Sequence, residues 1–199
     1  MTNTTLGLLR HGQTDWNIDL RLQGTADIPM NQTGVSQVER AADVLAQQGW
    51  DLVISSPLGR AKHTAEIVAH RLGIQEISTS ELLLERSFGI GEGLTYAEWS
   101  EKYSKLDVIP GAESTEDVIR RSRLLLSDVE QRFAGARVLA VSHGALIRFV
   151  LSEVTNGLVP PAGERLQNAS LHRLFHQGSW SLESWAPEPL GAQLPDQAQ

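Results

Sequence analysis

Two histidines each follow an apolar run and precede a glycine: Leu8-Leu9 leads into Arg10-His11-Gly12, and Ala140-Val141 leads into Ser142-His143-Gly144. A third run, Val53-Ile54, ends at Ser55-Ser56-Pro57, with Arg60 three residues beyond. A neutral imidazole is a competent nucleophile. A guanidinium presents a planar fork of donors that fits phosphate oxygens and keeps its charge. Arg10, His11, Arg60 and His143 in one place make a small electropositive basket for phosphoryl transfer, where positioning and charge stabilisation carry most of the catalysis. The flanking arginines disfavour a further positive charge and so help keep His11 neutral. One ring nitrogen must then face phosphorus while the other donates its proton to a backbone carbonyl. Backbone N–H groups at a helix start such as Gly144-Ala145 add donors for an anion.

These residues meet only if the three apolar runs are neighbouring strands, because ligands of open α/β sheets bind beyond the carboxyl ends of the strands. Apolar runs and periodicity predict strands at about 4–9, 52–54, 74–77, 138–141, 170–175 and 180–185. Helical spacing and capping signals predict helices at about 33–48, 58–72, 95–103, 114–133 and 145–154. The fourth of these carries Val118, Leu124, Leu125, Val129 and Phe133 as its apolar positions, with Arg120, Arg121 and Arg123 on a solvated face. The alternation implies an α/β fold, a three-layer α/β/α sandwich with a mostly parallel central sheet and a small helical cap. A single domain is expected over 1–185 with the cap inserted at about 86–135. Residues 186–199, rich in Pro, Gln and Gly, read as a loose tail. The strand at 170–175 reads as an edge able to pair in a dimer, so monomer and homodimer both stand.

Composition narrows the chemistry. The 199 residues include no cysteine, which excludes a disulfide framework, a thiol nucleophile and thiolate metal sites. A net charge of −7 opposes nucleic-acid binding, so positive charge must be concentrated locally to hold an anionic substrate. No stretch approaches the ~20 apolar residues of a membrane span, and the first residues lack the pattern of a secretory signal. The expected setting is cytoplasmic, without membrane or nucleic-acid partners.

The segment Leu8-Leu9-Arg10-His11-Gly12-Gln13-Thr14-Asp15-Trp16-Asn17 resembles the signature of the histidine phosphatase superfamily, the phosphoglycerate mutase-like family. The likeness continues in order through Gln23-Gly24, Ser55-Ser56-Pro57-Leu58-Gly59-Arg60-Ala61, Glu85-Arg86-Ser87-Phe88-Gly89-Ile90-Gly91-Glu92-Gly93, Gly111-Ala112-Glu113-Ser114 and Ser142-His143-Gly144. The resemblance implies that His11 becomes a phosphohistidine, and that Arg10, Asn17, Arg60 and His143 hold the phosphoryl oxygens. It likewise implies Gln23, Gly24 and Gly144 on the phosphate side. Glu85 becomes the proton donor to the leaving alcohol and then the base for water, which asks for a raised pKa from burial or nearby phosphate charge. It implies no metal and no cofactor. Ser87 and Gly91 stand where the family often has aspartate and tryptophan.

The implied activity is a metal-independent phosphomonoester hydrolase of the histidine acid type, acting on a small phosphorylated metabolite. A phosphoglycerate-type mutase is the alternative, and a non-catalytic phosphate-binding regulator a more distant one. Hydrolysis is favoured because the stretch between Glu85 and His143 must also supply a long helix and a strand, leaving little for the lid a mutase needs. Arg21, Arg86, Tyr96, Trp99 and Glu113 are expected at the substrate rim, and suggest a sugar phosphate or phosphorylated acid. His63, His70, His172 and His176 read as non-catalytic, and Trp16, Trp50, Trp99, Trp180 and Trp185 as packing.

Overall fold

In a computed structural model, residues 3–192 are described. Six strands, β1 (Thr4–Arg10), β2 (Leu52–Ser55), β3 (Ile77–Thr79), β4 (Arg137–Ser142), β5 (Leu171–His176) and β6 (Trp180–Ser184), form one sheet. Their order is β3-β2-β4-β1-β5-β6. The β3–β2, β2–β4 and β4–β1 pairs are parallel; β5 runs antiparallel to both β1 and β6. The sheet is thus mixed, and β5 lies inside it, so the expected edge at 170–175 is corrected: the edges are β3 and β6.

Side chains alternate across the pleat and feed two cores. Leu6, Leu8, Val138, Ala140 and Leu174 face α5 (Thr115–Arg132) and α6 (Gly144–Val154). Leu9, Val53, Leu139, Val141 and Leu171 face α2 (Gln32–Leu45) and α3 (Gly59–Leu72). Two short helices, α1 (Asp15–Ile18) and α4 (Tyr96–Lys102), lie outside these layers. Capping fixes the helix ends. Asn31 and Ser114 accept N–H bonds at the starts of α2 and α5, Thr95 and Glu98 form the expected reciprocal box before α4, and Gly73 takes the left-handed conformation that closes α3.

Three expectations need correction. The cap does not extend to 135, because α5 buries Val118, Leu125, Leu126 and Val129 in the main core. On the same helix Leu124 is 53% exposed, since the buried stripe includes Leu126 in its place. Residues 186–192 are not wholly loose: the Pro187 carbonyl accepts from Gln167 N–H at 2.7 Å, and Leu190 N–H donates to the Ala169 carbonyl at 2.9 Å. The rest of the expected tail, 193–199, lies outside the described residues.

What positions the site is the central trio β2-β4-β1. Arg10 is level with Ser142, and Ser55 with Val141. Just past the ends, His11 N–H donates to the Ser142 carbonyl and Ser56 N–H to the Val141 carbonyl, both at 3.0 Å. The three runs that carry the candidate chemistry therefore stop at one level of the sheet.

Candidate active site

His11, only 2% exposed, has its Nδ1 2.7 Å from the Gly12 carbonyl oxygen. A carbonyl can only accept, so Nδ1 carries the proton and Nε2 keeps its lone pair. No hydrogen bond reaches Nε2 among the described residues. The His143 ring lies 5.1 Å away, centroid to centroid. Its Nε2 is 2.8 Å from Ser56 Oγ, and its Nδ1 is buried without a partner. Arg10 donates to the Leu166 carbonyl through Nη1, and Arg60 to the Ala26 and Gly24 carbonyls. The Nε of each arginine is buried and unpartnered. Two orphaned N–H groups, on Arg10 and Arg60, and the unpartnered Nδ1 of His143 thus belong to one cluster. Each costs about 1–3 kcal/mol if left unsatisfied, which marks the cluster as a place for a polar ligand.

Glu85, 7% exposed, accepts three backbone N–H bonds: Arg86 at 2.9 Å and Leu146 at 3.0 Å on Oε1, and Ala145 at 3.0 Å on Oε2. The carboxylate therefore caps α6, at the end of the helix where the macrodipole favours an anion. This corrects the expectation that the Ala145 end is free for phosphate. Gly144 remains beside the cavity, where a Cβ would come within 3.3 Å of Arg10 Nε.

The segment carrying Glu85 is braced from α5. Arg121 donates to the Leu82, Leu84 and Glu85 carbonyls and makes two bonds to the Glu113 carboxylate, at 2.9 and 2.6 Å. Arg121 was expected on a solvated face with Arg120 and Arg123. Those two do pair at the surface, with Asp117 and Glu153. Periodicity alone could not separate them, because the carbonyl acceptors of Arg121 lie 36 to 39 residues away in sequence.

Asn17 and Gln23 join an amide network. Asn17 Oδ1 accepts from Thr14 N–H and from Asn168 Nδ2, while Asn17 Nδ2 and Thr14 Oγ1 both donate to Gln23 Oε1. Asn168 also donates to the His11 carbonyl at 3.0 Å. Gly24 is set apart: it does not border the cavity, and its carbonyl accepts from Arg60. A Cβ there would fall 2.6 Å from the Arg86 carbonyl oxygen, so only glycine permits this approach. Glu92 pins the same loop through the N–H groups of Thr25 and Ala26.

A cavity of about 620 Å³ opens in front of His11, a volume typical of small-ligand sites. Arg10, His11, Asn17, Gln23, Glu85 and Gly144 border it; Arg60 and His143 lie behind, sealed from solvent. Of the expected rim, Arg21 and Arg86 line the cavity, whereas Tyr96, Trp99 and Glu113 do not. Trp16, read as packing, lines it. Arg148, Arg165 and Asn168 line it too and were not singled out; they sit at or beyond the last recognised motif, where no local signal marks them.

Burial, followed by the charges of Arg60 and Arg10, holds His11 well below the ordinary imidazole value. Burial, Arg60, His11 and Arg10 do the same to His143. His172, read as non-catalytic, is pushed down to about 4, chiefly by burial and then by Arg10. Arg10 falls to about 10, mainly by burial, and so stays charged at neutral pH. All three histidines are neutral in the fold but take a proton near 6.5 once unfolded. The unfolded chain then binds more protons below that pH, so stability is intact above 6.5 and falls with acidification. Urea unfolding from pH 6 towards 4.5 should show a loss approaching ~4 kcal/mol per pH unit, the slope for three protons. A flat profile would exclude buried neutral histidines.

The profile of the histidine phosphatase superfamily (branch 1) matches residues 6–187. The chain is 34% identical to the uncharacterized phosphatase PhoE of Bacillus subtilis, over 92% of this chain and 94% of that one. The chain belongs to the histidine phosphatase superfamily. Another relative of this superfamily member is a probable phosphoglycerate mutase, GpmB, of Yersinia enterocolitica, 34% identical over 92% of this chain and 91% of the relative. Among solved structures, a mycobacterial glucosyl-3-phosphoglycerate phosphatase is 30% identical, with a TM-score of 0.80 over 92% of this chain and 98% of that one. Phosphatases and mutases thus both stand among the relatives. In this superfamily member a side chain at position 91 would displace Ile109, whose Cδ1 already lies 2.9 Å from where a Cβ of Gly91 would be. Among the described residues no helix is long and apolar enough to cross a membrane.

Proposed function

We propose that the chain is a phosphomonoester hydrolase that needs no metal and passes the phosphoryl group of a small phosphorylated metabolite through His11. The observation that carries this reading is the free Nε2 of a neutral His11, next to buried, unpartnered donors on Arg10 and Arg60 and the unpartnered Nδ1 of His143. In the first step Nε2 attacks phosphorus, the P–O bond to the alcohol breaks, and Glu85 delivers a proton to the departing oxygen. In the second step Glu85 takes a proton from water, which attacks the phosphohistidine and releases phosphate. Oε2 accepts only one backbone bond and so keeps a lone pair for this traffic. The arginines supply the charge stabilisation that a metal gives elsewhere.

The test is rapid quenching during turnover of a ³²P-labelled phosphomonoester, with a chelator present throughout. An acid-labile, base-stable label mapping to residue 11 is expected. No label on that residue, or activity abolished by the chelator, would overturn the proposal.

A further inference from the structure

The cavity in front of His11 carries more positive charge than one phosphoryl group can use. Five arginines border it: Arg10, Arg21, Arg86, Arg148 and Arg165. Arg10 belongs to the phosphoryl cluster. Arg21 is committed to Asp19 and the Gly93 carbonyl, and Arg86 to Asp107 and the Glu113 carbonyl. Two remain. Arg148, half-buried on α6, donates to the Glu164 carbonyl. Glu164 also brings its exposed carboxylate near enough to be felt. Arg165 has no hydrogen bond or ion pair among the described residues. Among the described residues Glu85 is the sole acidic one on the cavity wall, and its oxygens face the start of α6.

The loop that bears Arg165 is fixed rather than adrift. The preceding residue, Glu164, is held through its carbonyl by Arg148, and the following one, Leu166, is held through its carbonyl by Arg10. Asn168 and Ala169 continue the attachment, donating to the His11 carbonyl at 3.0 and 3.3 Å. The backbone around Arg165 is therefore tied to the reacting residues, and only its guanidinium is uncommitted. Its charge is felt by Arg10, which places it on that side of the cavity. Like charges gathered around too few carboxylates repel one another until an anion arrives, and guanidinium forks fit carboxylate and phosphate alike.

We propose that Arg148 and Arg165 form a second anion subsite, which selects phosphomonoesters whose leaving group bears a carboxylate or a second phosphate. This rests on the hydrolase reading above and names its substrate class. The phosphoryl group docks at His11, and the second anion reaches the wall at Arg148 and Arg165.

The test compares three esters with matched leaving alcohols: propyl phosphate, the phosphate ester of 3-hydroxypropionate, and the bisphosphate of 1,3-propanediol. In wild-type protein kcat/KM should be higher for one or both anionic esters than for propyl phosphate, and the arm that gains identifies carboxylate or phosphate. Replacing Arg165 or Arg148 by methionine should lower that ratio roughly 10- to 100-fold, the range of one charge-assisted hydrogen bond. Arg165→Lys should keep part of it. Because Arg148 also secures the loop, the exposed Arg165 gives the cleaner reading if Arg148→Met unfolds. A wild-type ratio near one, or a ratio unchanged in Arg165→Met, would overturn the subsite. Turnover of all three esters at equal rates would do so while leaving the hydrolase reading intact; turnover of none would remove the hydrolase reading itself.

Discussion

Alanine in place of His11 is expected to lower kcat/KM for p-nitrophenyl phosphate by roughly 10⁴-fold or more, the scale seen when a covalent nucleophile is removed. Inorganic phosphate should still raise the melting temperature of the variant, because the orphaned donors of Arg10 and Arg60 are untouched and any ligand of the folded state stabilises it. Loss of turnover with retained phosphate binding separates a nucleophile from a structural histidine. In the wild type, moreover, the rate should not collapse as pH falls through 6.5, where an ordinary imidazole is half protonated. His11 is held well below that value, so protonation of the nucleophile comes only at lower pH. A variant that turns over at near wild-type rates, or that no longer responds to phosphate, would contradict the role assigned to His11.

That Arg10, His11, Arg60 and His143 would gather was largely legible in the sequence because the strongest signals are local. Arg10-His11-Gly12 and Ser142-His143-Gly144 each sit at the end of an apolar run, and strand ends are where an α/β sheet exposes backbone to a ligand. That the two runs are adjacent parallel strands, in register from Thr5–Arg137 to Arg10–Ser142, follows from sheet pairing that no window of residues can display. The elements that were displaced are those decided by tertiary contacts. Strand β3 begins at Ile77, three residues later than apolar character suggests, because pairing with Val53 selects its register. Leu124 looks like core by composition, yet α5 turns Leu125 and Leu126 inward. The most instructive case is Arg121. Three arginines in four residues read as one solvated face, but one of them holds the backbone beneath Glu85 through acceptors far off in the chain. Likewise the cavity wall from Arg148 to Asn168 is assembled by bonds to Arg10 and His11 carbonyls, and carries no motif of its own.

Glutamine in place of Glu85 should separate the two chemical steps by leaving group. With an alkyl phosphate the departing oxygen needs a proton, and loss of the general acid should lower kcat by about 10²- to 10⁴-fold. With p-nitrophenyl phosphate the phenolate leaves unaided, so the first step should be far less affected. The second step still needs a base for water, so phosphohistidine should accumulate. Stopped-flow absorbance should then show a burst of nitrophenolate equal to the enzyme present, followed by slow turnover. The substitution carries a structural cost, since an amide NH₂ cannot accept from both the Ala145 and the Leu146 side as the carboxylate does. One cap bond at α6 is lost, worth ~1 kcal/mol, and a small drop in melting temperature is expected. A merely structural Glu85 would give that drop with equal losses on both substrates and no burst. Equal losses would therefore move the acid elsewhere, and among the residues bordering the cavity no other carboxyl is present to take its place.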